Sequence, residues 1–118
     1  MQLICRQSTL SGQVEIPGSK SHTIRAVAIA ALAQGHSTIK APLESADTLA
    51  AVNAFRSLGA RIERRPGIWT IEGTGGWLST PDDVIDVRNS GTSLRIAVGS
   101  AALLTEGEAL FTGDHQVR

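Results

Sequence analysis

Short runs of β-branched residues alternate along the chain with longer runs rich in alanine and leucine, which is typical of mixed α/β architecture. A serine that can cap a helix precedes two of the longer runs. Ser19 or Ser21 precedes the first run, and Ser45 precedes the second. The pattern predicts helices over 19–33, 46–58 and 91–104, the first of them apolar on nearly every face and therefore buried on most sides. It predicts strands over 2–7, 13–16, 36–41, 61–64, 68–72, 84–87 and 109–112, with a hairpin turn at 65–67 and a glycine-rich loop at 73–76.

The strand–helix pattern repeats within the chain. An offset of 70 residues superposes two segments, aligning Val14 with Val84 and, about one turn into each helix, Arg25 with Arg95. A repeat of this length indicates one supersecondary unit used more than once. The first unit, βαβαββ, extends to about residue 76, and the second begins at 84 and is cut off after βαβ. The pattern thus predicts one and a half units and a chain that is interrupted at Arg118.

The composition is that of an ordinary globular domain. Of 118 residues, 42% are hydrophobic and 19% are charged, which excludes a disordered chain. Zero net charge and 3% aromatic residues argue against a nucleic-acid partner, and no apolar run is long enough to span a membrane. The lone Cys5 cannot form an internal disulfide, which fits a reducing, cytoplasmic compartment. Because it lies in a predicted strand without a basic partner nearby, we expect a small core residue. The first residues have no long apolar stretch behind a basic end, so no signal peptide is expected. Because His22, His36 and His115 lack metal-ligand spacing, no metal is expected, and because the sequence has no Walker loop or dinucleotide fingerprint, no other cofactor is expected.

The first candidate site is the start of the first helix, where Pro17-Gly18-Ser19-Lys20-Ser21-His22-Thr23-Ile24-Arg25 follows a predicted strand. The free N–H groups of a helix N-terminus and its dipole favour an anion, and Lys20 and Arg25 add two positive charges. The sequence therefore predicts a phosphate or carboxylate site. The alternative is that Ser19 and Ser21 are ordinary caps and that Arg25 forms a surface ion pair.

Two further positions repeat or support this chemistry. The stretch 89–95, Asn-Ser-Gly-Thr-Ser-Leu-Arg, offers a second helix N-terminus, with Gly91 allowing close backbone approach and Thr92 and Ser93 supplying hydroxyls. An ordinary capped helix explains the same residues. Asp47 lies in the first turn of the second helix, where it either interacts with the helix dipole alone or orients a ligand or Lys20. A pair of equivalent sites would suit two anionic groups.

Residues Pro17 to Ala26 closely resemble a motif near the N-terminus of the 5-enolpyruvylshikimate-3-phosphate synthases, a branch of the enolpyruvyl transferase family. The resemblance continues, in order and with the family's spacing, through residues 30–35, 45–47, 58–60, 89–92 and 112–114. It implies an inside-out α/β barrel of two lobes, each built from βαβαββ units. Residues 1–17 would be strands of the other lobe, and residues 18–118 would be part of the N-terminal lobe.

The resemblance also implies an activity. Family members transfer the enolpyruvyl group of phosphoenolpyruvate to the 5-hydroxyl of shikimate 3-phosphate and release phosphate, in the pathway to chorismate and the aromatic amino acids. By position, Lys20 resembles a catalytic lysine that contacts phosphoenolpyruvate, and Ser21 and Arg25 resemble residues that hold shikimate 3-phosphate. These substrates, and the missing remainder of the enzyme, are the partners that the resemblance implies.

The second motif carries over in the same way. Asn89 and Gly91 match the turn that meets phosphoenolpyruvate, with Thr92 in a supporting place, and Asp47 matches an acidic residue near the lysine. Many members have Gly before the asparagine and Pro after the arginine of this motif, where this chain has Arg88 and Ile96. That proline influences tolerance of glyphosate, which occupies the phosphoenolpyruvate site in family members.

The chain covers only the first part of a family enzyme, so we expect an N-terminal piece that is inactive alone. One alternative is one part of a split enzyme, which would gain activity when its partner is added. Another is a non-catalytic module that binds phosphorylated ligands. The sister enzyme that acts on UDP-N-acetylglucosamine would show Lys-Asn where this chain has Lys20-Ser21, and a reactive cysteine near His115, and neither is present.

Overall fold

The computed structural model describes residues 1–117, which form three helices and five strands. The helices are α1 (Lys20–Leu32), α2 (Ala46–Ser57) and α3 (Gly91–Ala101). The strands are β1 (Gln34–Lys40), β2 (Arg61–Arg65), β3 (Ile68–Thr74), β4 (Ile85–Asp86) and β5 (Phe111–Thr112). Between residues 19 and 112 the predicted elements are therefore confirmed in type and order. None of the helices in the described range has the length and apolar character needed to cross a bilayer.

The larger sheet is antiparallel, with strand order β1-β3-β2. The predicted hairpin joins β2 to β3 through Pro66 and Gly67, and Gly67 takes the positive φ of 73° that the tight turn requires. Alternation along β3 buries Trp69 and Ile71 against the helices and leaves residues 68, 70 and 72 exposed on the outer face. The smaller sheet is the parallel pair β4–β5, which α3 connects.

The helices pack together on the inner face of the larger sheet, where α1 contacts α2, α3 and β3. Many of the buried helical residues are alanines, which let the helix backbones approach closely. The larger side chains that fill the core between helices and sheet are Ile24, Val27, Val52, Phe55, Leu58, Trp69 and Ile71. The expectation that α1 is buried on most sides is only partly right, because six of its thirteen residues are buried and Ile29 is 71% exposed.

The strands predicted at 2–7 and 13–16 are wrong for this chain. Residues 1–17 contain no helix or strand, and all of them are exposed, including Cys5, which was expected in the core. A β-branched run becomes a strand only when a neighbouring strand takes its backbone hydrogen bonds, and none of the described residues does so. The first unit is accordingly observed as αβαββ, and the placement of residues 1–17 in another lobe stays a prediction.

Several predicted boundaries also need correction. Helix α1 ends at Leu32 rather than 33, and β1 begins at Gln34 rather than 36, so that Gly35 lies inside the strand. The predicted glycine-rich loop is shorter, because Gly73 and Thr74 pair with β1 as the end of β3. Helix α3 ends at Ala101 rather than 104, since the N–H groups of Leu103 and Leu104 bond carbonyls three residues back and tighten the last turn.

The predicted repeat is one residue out of register at the helices. Ser19 caps α1 and Ser90 caps α3, so the two caps lie 71 residues apart rather than 70. Arg25 is therefore the sixth residue of α1, whereas Arg95 is the fifth residue of α3. One helical position is a rotation of about 100°, so the two arginines are not equivalent on their helices.

Candidate functional site

The start of α1 has the geometry that the sequence predicts. Ser19 is the N-cap, and its hydroxyl oxygen accepts a hydrogen bond from the N–H of His22 at 3.3 Å. Lys20 and Ser21 are the first two residues of the helix and are exposed. No acidic residue lies in this first turn, so the positive end of the helix is not neutralised locally. His22 is exposed, as expected for a solvated histidine at a helix start.

Lys20 is paired with Asp47, which lies 27 residues further along the chain. The Lys20 ammonium donates to Oδ2 of Asp47 at 2.6 Å, and the two side chains are 54% and 26% exposed. Such a solvent-accessible pair contributes only about 0.2–1 kcal/mol to folding. The dipole of a helix disfavours a lysine at the N-terminus, so the main effect of the pair is to hold the Lys20 ammonium in one place. Of the two interpretations of Asp47, the structure supports the one in which it orients Lys20.

Asp47 also links α2 to α3. It follows the N-cap Ser45, whose side chain and that of Thr48 form a capping box that fixes the first turn of α2. The hydroxyl of Ser93, in the first turn of α3, donates to the backbone carbonyl of Asp47 at 3.1 Å. The N-terminal turns of α1, α2 and α3 thus meet around Asp47, and we call this arrangement the three-helix junction. Three positive helix ends converge there.

Arg25 lies over the first turn of α1. Its Nη1 donates to the carbonyl oxygen of Ser21 at 3.0 Å, so the two residues share one face of the helix. The alternative, a surface ion pair of Arg25, is not seen among residues 1–117. A guanidinium has five N–H donors, and this bond uses only one of those of Arg25.

The second motif forms the turn into α3. Asn89 lies in the turn after β4, and Gly91 and Thr92 are the first two residues of α3. All three are exposed. A Cβ built at Gly91 would meet no atom within 4 Å, so packing does not require glycine at this position. Here Ser90 is the N-cap, as an ordinary capped helix would also have it.

The sequence pattern offered Ser93 only as one of two hydroxyls at the start of the third helix, and it did not single out Ser90 as a site residue. Ser93 is 1% exposed, and its hydroxyl accepts from that of Ser90 at 2.7 Å while donating to Asp47. The only sign of Ser93 in the sequence was a hydroxyl residue in the first turn of a predicted helix. Its partner on another helix, 46 residues away, follows only from the tertiary structure. Within the described range, no group of three or more His, Cys, Asp or Glu residues could hold a metal ion.

Comparison with known proteins identifies the family of the chain. The family model for EPSP synthase (3-phosphoshikimate 1-carboxyvinyltransferase) matches residues 4–118. The 3-phosphoshikimate 1-carboxyvinyltransferase of Acetivibrio thermocellus is 52% identical over 118 residues, which is 100% of this chain and 28% of that protein. Its namesake from Methanothermobacter thermautotrophicus is 49% identical over 113 residues, or 96% of this chain and 26% of that protein.

The fold comparison leads to the same family. The structure of EPSP synthase from Acinetobacter baumannii superposes with a TM-score of 0.81 at 34% identity, over 89% of this chain and 24% of that one. The predicted mixed α/β class is confirmed, and the fold is that of part of the inside-out α/β architecture of EPSP synthase. The chain spans little more than a quarter of the length of the curated relatives it matches. By both its sequence and its fold, the chain belongs to the EPSP synthase (3-phosphoshikimate 1-carboxyvinyltransferase) family.

Proposed function

We propose that this chain supplies the N-terminal part of an enzyme that transfers the enolpyruvyl group of phosphoenolpyruvate to the 5-hydroxyl of shikimate 3-phosphate. In this reaction the hydroxyl oxygen bonds to the central carbon of phosphoenolpyruvate while the terminal vinyl carbon takes up a proton. Loss of that proton and of phosphate then restores the double bond. The observation that carries the proposal is the three-helix junction, with Lys20 fixed by Asp47 at 2.6 Å, in a chain of this family.

Phosphoenolpyruvate is the ligand we propose for Lys20 and for the turn into α3. The phosphate and carboxylate of this substrate need several donors, which the ammonium of Lys20 and the free N–H groups beside Gly91 would supply. The Asn89 side chain adds an amide, and Thr92 a hydroxyl. Positive charge held in place before the substrate arrives stabilises charge that develops in the transition state. This is the catalytic role we assign to Lys20.

Shikimate 3-phosphate is the ligand we propose for Ser21 and Arg25. The two residues lie on one face of α1, and a planar guanidinium can bind a phosphate through two parallel hydrogen bonds. Binding would exchange the contact of Arg25 with the Ser21 carbonyl for contacts with the phosphate. Two polyanionic substrates held side by side would then react as an intramolecular pair.

The remaining three quarters of the family enzyme are the partner that we propose for turnover. This chain corresponds to 28% of the Acetivibrio thermocellus protein, so the residues it brings together cannot enclose a substrate on all sides. We place the whole enzyme in the cytoplasm, where phosphoenolpyruvate is available. The chain alone should bind one substrate weakly and release no phosphate.

A chimera tests the proposed reaction. The matched segment of the Acetivibrio thermocellus relative is replaced by this chain, and phosphate release is followed with both substrates. We expect turnover, and we expect Lys20→Ala to lower kcat by at least about 100-fold because a charge aimed at the reacting centre is lost. The chain has one other lysine, Lys40, exposed at the end of β1, so Lys40→Ala is the matched control and should keep its activity. Equal activity of the two variants would refute the role of Lys20.

The isolated chain tests whether the site is formed before the rest of the enzyme is present. Titration with shikimate 3-phosphate by calorimetry should give a saturable signal that Arg25→Ala removes and Arg65→Ala, on an exposed strand end, preserves. Adding the separately produced remainder of the relative should restore phosphate release if the chain works as one part of a split enzyme. Saturable binding without any turnover, in the mixture and in the chimera, would instead favour a non-catalytic module for phosphorylated ligands.

A further inference from the structure

Ser93 is the buried centre of a hydrogen-bonded chain that crosses between two helices. Because the Asp47 carbonyl can only accept, the Ser93 hydroxyl must donate to it, at 3.1 Å. Ser93 then accepts the hydroxyl proton of Ser90 at 2.7 Å, so its donor and an acceptor lone pair are both used. Asp47 in turn holds the Lys20 ammonium at 2.6 Å through its carboxylate. Asp47 thus receives one contact from Lys20 of α1 and another from Ser93 of α3.

The position of Ser93 decides what this contact can control. Ser93 is the third residue of α3, directly after Gly91 and Thr92, and it is 1% exposed. The Ser90 hydroxyl that it accepts from belongs to the N-cap of the same helix. Fixing Ser93 to the backbone of α2 therefore fixes the turn that begins α3 relative to Asp47 and Lys20. Ser93 itself is too buried to touch a substrate.

We propose that Ser93 is a positioning residue for this site: its hydroxyl sets the distance between the Lys20–Asp47 pair and the turn at 89–92. Without it the two groups that bind phosphoenolpyruvate are no longer held at one spacing, and the substrate must order them when it binds. This role rests on the proposed function. It predicts weaker binding of phosphoenolpyruvate rather than loss of the chemical step.

The matched control lies on the same helix. Ser100 is also buried, but its hydroxyl donates to the carbonyl of Ile96 in α3 itself, at 2.8 Å, so it links no second helix. Ser93→Ala and Ser100→Ala each remove one buried hydroxyl from α3, and only the first removes an interhelical bond. Ser93→Thr keeps the hydroxyl and serves as the conservative variant.

The kinetic test uses the chimera. Ser93→Ala should raise KM for phosphoenolpyruvate about 3- to 10-fold, the equivalent of one hydrogen bond, with kcat changed less than about twofold. Ser93→Thr should restore KM to within about twofold, and Ser100→Ala should leave it unchanged. A merely structural role would affect Ser93→Ala and Ser100→Ala alike. An unchanged KM in Ser93→Ala, or equal changes in both variants, would overturn the proposal.

A second test is independent of turnover and uses the 118-residue chain by NMR. Ser93→Ala should shift the side-chain ammonium resonance of Lys20 and speed the exchange of the Ser93 and Leu94 amides. Ser100→Ala and Ser93→Thr should leave the Lys20 resonance in place. If the chimera with Ser93 does not turn over, the proposed reaction fails, and the NMR result decides the positioning role by itself. A Lys20 resonance unmoved in Ser93→Ala would then overturn it.

Discussion

Arg88 illustrates how one residue can carry strain beside a site. Its φ is 53°, in the left-handed region that costs a non-glycine residue about 1–2 kcal/mol. The conformation is fixed from both sides: the Arg88 N–H donates to Oδ1 of Asp86 at 2.8 Å, and its carbonyl accepts from the N–H of Asp114 at 2.8 Å. Glycine, which the resemblance to the family implies before this asparagine in many members, would adopt this φ without strain.

Replacing this arginine by glycine should therefore stabilise the chain. We expect Arg88→Gly to raise the free energy of unfolding by about 0.5–1 kcal/mol, the relief of strain less the entropy that glycine gains when unfolded. The midpoint of thermal unfolding should rise by about 2–5 °C, measured by circular dichroism. Arg88→Ala is the control, because alanine keeps the strain, and it should change the midpoint little. A lower midpoint for the glycine variant would contradict this account.

At the same scale, the sequence allowed some site residues to be predicted and hid others. Lys20 could be singled out because a lysine at a helix N-terminus opposes the dipole and needs a partner. Asp47 was a candidate for that partner, since an acidic residue in a first turn is visible in the sequence. The contact of Ser93 with the Asp47 carbonyl was not predictable, because it depends on how two helices pack and involves a backbone atom that every residue has.

Among the elements, the crossing of α1 over β3 depends on Gly73. A Cβ built there would lie 2.1 Å from the carbonyl oxygen of Ala33 and 2.3 Å from that of Ala30, both backbone atoms at the end of α1. Such atoms cannot move aside as a flexible side chain can, so the helix and the strand are in contact through their backbones. The hydroxyl of Thr74 adds a hydrogen bond of 3.1 Å to the carbonyl of Ala31.

A methyl group at Gly73 should therefore separate α1 from the sheet. We expect Gly73→Ala to lower the free energy of unfolding by about 2–3 kcal/mol, measured by urea denaturation. The same substitution at Gly99, inside α3, meets no atom within 4 Å and should raise it by about 0.5–1 kcal/mol through better helix propensity. The two substitutions should therefore change the free energy of unfolding in opposite directions. A loss at both positions would show that the close approach to α1 is not what makes Gly73 necessary.

Elements were predicted well where local sequence and tertiary contacts act together. Helix α2 has a serine cap, an apolar face and a following glycine, and its start was predicted to the residue. The runs at 2–7 and 13–16 have the same local strand pattern as β3, yet only β3 has neighbours on both sides. The alternation of apolar and polar residues indicates which segments can form strands, but only those that pair with a neighbouring strand do so.

The whole molecule is less compact than its length predicts. The radius of gyration is 17.2 Å, whereas a compact domain of this size has about 13–14 Å. Residues 1–17 contain no helix or strand and are exposed throughout, and they carry apolar side chains, among them Leu3, Ile4 and Leu10 at 79–90% exposure. A segment with strand-forming sequence and unpaired backbone groups is a template for association with another chain.

Removing this segment should separate folding from association. Because residues 1–14 are all exposed, we expect a chain that begins at residue 15 to keep its free energy of unfolding within about 0.5 kcal/mol of the original. Its tendency to form dimers and larger species at high concentration, measured by sedimentation velocity, should fall. A substitution of Leu3, Ile4 and Leu10 by serine in the full chain should have the same effect on association, which distinguishes apolar contact from mere length. A large loss of stability on truncation would contradict this account, because it would mean that the segment packs on the α/β core although its side chains are exposed.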